Sequence, residues 1–508
     1  MEQEEVEELD KSVYPGGHLT VLFGSQTGTA EGFANELKRE GADKGFKVRV
    51  LDLEDLSCDT SVKTKLLNKA FADESGKTRA IFLVATYGEG EATDNADAFM
   101  KLLKRKMGVP QFAGDDNAEG KDSTDLQFMS NLEYAVFGLG NRQYEHYNAM
   151  GKFFDSSLHQ IGGKRIMDVG LGDDDEDLEG DFEQWKDTQL WPTLTKRYQV
   201  SNDFVESHTA EAVDGHDVNG FHAMPTSPYE VEYIAELHGK DDFTPDEVSP
   251  DEISKSTKHY FHAVECPVTL SRELRASSDG GSTLHIEVDV SCKHDQVQYQ
   301  TADNLAVLPL NDSALVAKVA KALKYDLDSV FRLKPSKDSK ESFQHLFPTP
   351  CSIRECLTRY CDLVTPPRRS ELKLLAQYAK DPLDRTALER MASKEGKVEY
   401  KNKILDNHVG IAELVARLCT SIEMPLENFV ITCARLQPRF YTISSSSSVH
   451  PDTVHITVAI MKGPRKDGSE WTGVCTNHLQ NIGSNGTCKV FVRGSSFRLP
   501  EDVSFFSI

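Results

Sequence analysis

Leu19-Thr-Val-Leu-Phe-Gly24-Ser-Gln-Thr-Gly-Thr-Ala30 passes from an apolar strand into a helix through a loop of glycines and hydroxyls. A helix N-terminus presents unpaired N–H groups and the positive end of the helix dipole, so a phosphate can rest there. Ser25, Thr27 and Thr29 add hydroxyl donors, and Gly24 and Gly28 allow close backbone approach. No lysine follows the second glycine, so this is not the loop that cradles Mg-nucleotides for hydrolysis. A phosphate monoester with no metal suits it better. Taken alone, the segment is equally an ordinary strand-to-helix turn.

Working outward, Ala30 to Lys44 reads as a helix with Phe33 and Leu37 on one face. Further strands are expected at Lys47–Leu51, Ala80–Ala85, Glu133–Phe137 and Arg165–Leu171. Helices are expected at Asn95–Lys106 and from about Leu178. Strands alternating with helices imply a parallel doubly wound α/β sheet, and five strands fit its flavodoxin-like form. Ligands of such sheets bind at the carboxyl ends of the strands.

Two further segments end strands at that rim. One is Ala85-Thr-Tyr87-Gly-Glu-Gly90-Glu-Ala-Thr-Asp-Asn95, the other Gly138-Leu-Gly-Asn141-Arg-Gln-Tyr144-Glu-His-Tyr-Asn148. Two tyrosine faces can sandwich a planar heteroaromatic ring. The last strand delivers Gly172-Asp173-Asp-Asp-Glu-Asp177 to the same rim. Each tyrosine alone reads as a loop aromatic covering core; three loops converging on one rim select the binding site.

The 508 residues exceed what one core usually serves and suggest about three domains. A net charge of −24 argues against nucleic acid or an anionic lipid surface as the main partner. No apolar run approaches a membrane span, and the acidic start Met1–Asp10 is no signal or transit peptide. Ten dispersed cysteines form no disulfide framework, and Cys351, Cys356 and Cys361 read as buried small hydrophobes. The 16 histidines form no H-x-x-x-H or H-E-x-x-H pair, so no metal site is expected. A reducing cytoplasmic setting follows.

Ser201–Ser227 reads as a linker, with residues 199–227 between the first domain, 18–198, and the remainder. Strands are expected at His262–Leu270, Leu284–Val290, Asn304–Leu308, Arg439–Ser444, Thr453–Met461 and Lys489–Val492. Between them lie helical periods, from Asp312–Tyr325, capped by Asp312, through Leu372–Tyr378 to Val409–Leu418. The expected organisation is a β-barrel (228–312 and 431–500) interrupted by a helical insert, 313–430.

The three rim segments resemble the FMN domain of the diflavin reductases of the NADPH–hemoprotein reductase type. Tyr144-Glu-His-Tyr-Asn-Ala-Met-Gly151, Leu171-Gly-Asp-Asp-Asp175 and Trp185 are closer to that type than to its diflavin relatives. The resemblance implies FMN phosphate contacts at Ser25, Gln26, Thr27, Gly28, Thr29 and Ala30. It places ring contacts at Ala85, Thr86, Tyr87 and Gly88, and at Leu139, Gly140, Asn141, Tyr144, His146, Tyr147 and Asn148, with Asp173 closing the site.

The second half is similar to the FAD-binding barrel of the same family. Gln437-Pro-Arg439-Phe440-Tyr441-Thr442-Ile-Ser-Ser445 carries its R-x-Y-[ST] motif, in which Arg neutralises pyrophosphate and Tyr lies near the flavin. Thr457-Val458-Ala459 matches the next strand by position, and Gly473-Val474-Cys475-Thr476 the pyrophosphate turn. Arg354, before Leu357-Thr-Arg-Tyr-Cys-Asp362, matches a further FAD contact. Gly463 stands where the family commonly has an aromatic near the adenine, and Gly281 replaces an Arg that helps hold NADP. The match runs through Phe497-Arg-Leu-Pro500, and the sequence given ends at Ile508. The expectation is therefore that the NADP-binding domain and the N-terminal membrane helix are missing.

The resemblance implies an oxidoreductase passing electrons from NADPH through FAD and FMN to a heme protein, with the flavins carrying the redox chemistry and no catalytic side chain required. The hydride step is not expected of these residues alone. The acidic runs Asp173–Asp177 and Glu179–Glu183 suit docking to a basic heme-protein face, and equally a solvated helix start. The setting would be the cytosolic face of the endoplasmic reticulum if an anchor has been lost. Alternatives are a sulfite-reductase-like or iron–sulfur-assembly diflavin enzyme, or an FMN-only electron shuttle.

Overall fold

A computed structural model describes residues 9–109, 124–205, 227–240, 243–249, 253, 258–276, 280–337, 343–484 and 486–495. Most of the expected linker, the first eight residues and the Phe497–Pro500 match lie outside them. The chain divides into two compact units, one running to Ala223 and the other from Met224 to Arg498.

The first unit contains β1 (Gly17–Gly24), α1 (Thr29–Gly41), β2 (Phe46–Asp52), β3 (Thr78–Tyr87), α2 (Asp94–Lys106), β4 (Leu132–Gly140), α3 (Ala149–Gln160) and β5 (Gly170–Asp173). The long strands pair in parallel in the order β2-β1-β3-β4, with β5 and the short strand Lys164–Arg165 both on the outer edge of β4. This is the flavodoxin-like arrangement. The single expected strand Arg165–Leu171 is thus two short pieces, Lys164–Arg165 and Gly170–Asp173, each paired separately with β4. The helix α3 (Ala149–Gln160), directly after the Tyr144 loop, is not among the expected elements.

Alternation along the strands fills two cores. Leu22, Phe82, Val84 and Val136 meet Phe99, Leu102 and Phe154 on one face. Val21, Phe23, Ile81, Leu83 and Phe137 meet Phe33, Leu37, Phe182 and Trp185 on the other. Phe33 stacks flat on Phe182 at 4.1 Å, and each such buried ring contributes roughly 1.5–3 kcal/mol. The strand ends are thereby fixed, and with them the rim.

In the second unit β6 (Val264–Glu273), β7 (Thr283–Asp289), β8 (Asn304–Leu308), β9 (Arg439–Thr442), β10 (Thr453–Ala459) and β11 (Thr487–Arg493) form one antiparallel sheet. Its order is β9-β8-β11-β6-β7-β10, and a bridge from Ile443 to Ile456 joins the two edges into a barrel. A helix, α4 (Val474–Ile482), precedes β11. The helix Ser313–Leu323 is capped by Asp312, whose carboxylate accepts from Ala314 N–H at 2.8 Å. Cys351, Cys356 and Cys361 are buried in the helical core. That part is not purely helical. Val330–Pro335 pairs with Tyr229–Tyr233 and Cys351–Ser352 in a separate three-stranded sheet, which the sequence reading did not anticipate. Among the described residues no helix is long and apolar enough to cross a membrane.

Glu133, buried at the start of β4, ties the sheet to the helix Trp191–Arg197. It accepts from Arg197 and, at 2.7 Å, from the Tyr198 hydroxyl. Burial opposes its ionisation, but Arg197 and Tyr198 outweigh that and hold the carboxyl at about 2. A carboxyl depressed in the fold stabilises it fully above its unfolded value, about 4.3, and progressively less as pH falls toward 2. Urea unfolding of the chain and of Glu133→Gln should therefore differ at pH 7, with the gap closing between pH 4.5 and 2.5. Parallel pH profiles would show that the carboxylate does not act this way.

Candidate flavin sites

The Gly24–Ala30 loop is held from below by a buried amide. Asn95, at the start of α2, accepts Ser25 N–H through Oδ1 at 2.9 Å and gives its Nδ2 to Asp52 at 2.9 Å. Thr93 donates to the same Oδ1 at 2.7 Å. Gln26 and Asp94 exchange two further bonds, at 3.0 and 3.2 Å. Ser25 turns inward to accept Gly28 N–H at 2.9 Å, so its hydroxyl oxygen already shapes the loop. Gly28 has φ +89°, a left-handed conformation that favours glycine. It caps α1 and leaves the first-turn N–H groups of Thr29 and Ala30 without intrahelical acceptors. The Thr27 and Thr29 hydroxyls lie 3.2 Å apart beside them. This donor set fits a phosphate. The Ala30 side chain points into the core, so only its N–H can contribute.

The two tyrosine loops meet at the rim. A Cβ on Gly90 would stand 2.7 Å from His146 Cβ, so the loop after β3 packs on the loop after β4 where only glycine fits. Thr86 Oγ1 accepts Met150 N–H of α3 at 3.2 Å, a second tie between them. Tyr87 and Tyr144 stay 52% and 66% exposed, faces that the protein itself leaves uncovered. Leu139 is in the core, which leaves its backbone as the available contact.

Asn148 is buried with φ 54° and donates Nδ2 to Gly172 O at 2.9 Å. Asp173 is also buried, and accepts Arg142 N–H at 2.9 Å and Asp175 N–H at 3.2 Å. Both therefore shape loops of the site from within, a more indirect role than the sequence reading gave Asp173. That reading also missed the Asn95–Thr93–Asp52 network and the Gly90–His146 contact, since no local pattern announces either.

In the barrel, the Arg439–Thr442 strand and the Gly473–Thr476 turn meet at Tyr441 and Cys475. Tyr441 packs its ring against the barrel core with its hydroxyl at the Cys475 thiol; burial and that thiol push the phenol up. Gly473 N–H reaches Met461 O at 2.8 Å and Met461 N–H reaches Thr476 Oγ1 at 3.2 Å, joining the end of β10 to α4. A Cβ on Gly473 would be 2.9 Å from Thr476 Oγ1. The N–H groups of Val474, Cys475 and Thr476 lack intrahelical acceptors, a donor set that fits a pyrophosphate. Arg439 donates to Gln437 O at 2.6 Å. Phe440 stacks edge-on to Phe491 under Arg493. Thr442 reaches Asn304 at 3.4 Å. Thr457 and Ala459 face outward, whereas Val458 fills the core and offers only backbone. Arg354 pairs with Asp328 at 2.7 Å.

Both glycine departures are covered by a neighbour. The Trp471 indole nitrogen lies 2.8 Å from where a Cβ of Gly463 would stand, and the Arg275 guanidinium lies against Gly281.

Comparison with known proteins agrees with this reading. Residues 21–185 match the flavodoxin family and residues 255–478 the FAD binding domain family. The chain is 35% identical to the human NADPH–cytochrome P450 reductase over 97% of its own length and 67% of the relative's. It belongs to that reductase family. The guinea-pig (Cavia porcellus) relative is 36% identical with the same coverage, and the Salmo trutta one 34% identical over 97% of this chain and 72% of its own. The chain is thus a diflavin oxidoreductase of that family, an electron-passing flavoprotein with FMN and FAD as cofactors.

Asn95→Ala would remove the acceptor of Ser25 N–H and one of the donors to Asp52, a loss of about 1–3 kcal/mol for a buried group. FMN titration followed by flavin fluorescence should show affinity weakened tenfold or more, with FAD content unchanged. Unaltered FMN affinity would remove Asn95 from the site.

Proposed function

We propose that Ser25–Ala30 hold the FMN phosphate and that Tyr87 and Tyr144 flank its ring. In this reading Ala85–Gly88 and Leu139–Asn148 give backbone contacts, and Asp173 fixes the turn that carries Tyr144. FAD lies along Arg439–Thr442, Thr457–Ala459 and Gly473–Thr476, with Arg354 reaching it from the insert after leaving Asp328. The observation that carries the FMN assignment is the pair of uncovered tyrosines on two mutually packed glycine loops. Bound there, the flavins supply single-electron transfer, which needs no general acid or nucleophile from the chain. The residues bind, orient and shield.

The acceptor we propose is a heme-thiolate monooxygenase at the cytosolic face of the endoplasmic reticulum, with NADPH as the ultimate reductant. Exposed Asp174, Asp175 and Glu176 support docking to a basic face, since Gln143 of the Tyr144 loop bonds Asp175 and keeps the acidic turn beside the exposed ring.

The test uses the flavin-loaded chain, photoreduced without oxygen and mixed with a ferric heme-thiolate monooxygenase under carbon monoxide. The ferrous carbonyl spectrum should develop, and an iron–sulfur partner should stay oxidised. Failure with FMN fully bound would overturn the acceptor. Tyr87→Ala and Tyr144→Ala should each weaken FMN binding roughly threefold to tenfold, the worth of one stacked face. Unchanged affinity in both would overturn the ring site.

A further inference from the structure

The histidines show no metal spacing along the chain, yet the barrel brings three ligand atoms together. His285 and Glu287 stand two apart on β7 and leave the side opposite to Leu284, Ile286 and Val288, which enter the core. On the antiparallel neighbour β10, His455 is directly opposite Glu287. His285 Nε2 lies 3.2 Å from Glu287 Oε1, and His455 Nε2 lies 3.9 Å from Glu287 Oε2. All three ligand atoms fall within 4.8 Å of one another. The side chains are 19, 27 and 12% exposed, sheltered yet open to solvent.

We propose that His285, Glu287 and His455 bind one divalent transition-metal ion of the zinc kind, with water completing the shell. Zinc takes imidazole nitrogen and carboxylate oxygen tetrahedrally at 2.0–2.2 Å, which sets neighbouring ligand atoms about 3.3 Å apart. The first pair already has that spacing. The second is too long for a hydrogen bond and shortens by about half an ångström around a shared ion. An ordinary His–Glu hydrogen bond accounts for His285 alone; it does not explain why each carboxylate oxygen has its own imidazole. Two nitrogen ligands disfavour magnesium and calcium, which select oxygen sets. Thr453 Oγ1, 3.1 Å from His455 Nε2, holds that ring meanwhile, and the His450 ring lies 4.3 Å from it.

Exposed Cys58 and Cys292 would also take zinc, so the test uses the flavin-loaded Cys58→Ser/Cys292→Ser chain. Equilibrium dialysis against zinc should give one ion per chain at micromolar free zinc, unaffected by excess magnesium. His285→Ala and His455→Ala should weaken binding at least tenfold with flavin content retained. Glu287→Gln, which keeps the side chain's size, should do the same and serves if an alanine variant fails to fold. His294→Ala, which removes an exposed partner of Asp452, should bind as before. No binding at micromolar zinc, or equal binding in the folded His285, His455 and Glu287 variants, would overturn the site.

Discussion

The side chain of Asn95 fixes the Gly24–Ala30 loop to the rest of the sheet. Its carbonyl oxygen accepts from Ser25 and Thr93, and its amide reaches Asp52, so the ends of β1 and β2 and the start of α2 share one buried group. A buried amide is stable only when both its ends are paired, so the arrangement tolerates little displacement. The loop inherits that rigidity. Its N–H groups then face one direction without waiting for a ligand, which is what pre-organised recognition requires.

The tyrosine loops use the opposite means. They are held by close backbone and side-chain approach, Gly90 on His146, and by one hydroxyl, Thr86 on Met150, while their rings stay uncovered. Rigid below and open above is a division of labour suited to a ligand with a charged tail and a flat head.

Much of this was legible in the sequence. β8 matches its expected bounds, β1, β3 and β4 were found within a few residues, and the rim loops followed from the rule that ligands gather at carboxyl strand ends. What stayed hidden depends on pairing between distant segments. The strand Val330–Pro335 sits among helices and is recognisable only through Tyr229–Tyr233, about a hundred residues earlier. Asn95 looked like a helix start, and nothing local marks its reach to Ser25 and Asp52. The grouping of His285, Glu287 and His455 has no local signature, because its third member comes from the neighbouring strand. The short strands beside β4 were merged because an apolar run does not show where its pairing with β4 is interrupted.

Gly463 and Gly281 looked like two subtractions from the family pattern. In three dimensions each vacancy has a tenant of the missing type, an indole at one and a guanidinium at the other. Chemistry can change its address on the backbone and remain in the same neighbourhood. Position-by-position comparison records two losses here, whereas an aromatic still stands beside one position and a cation beside the other.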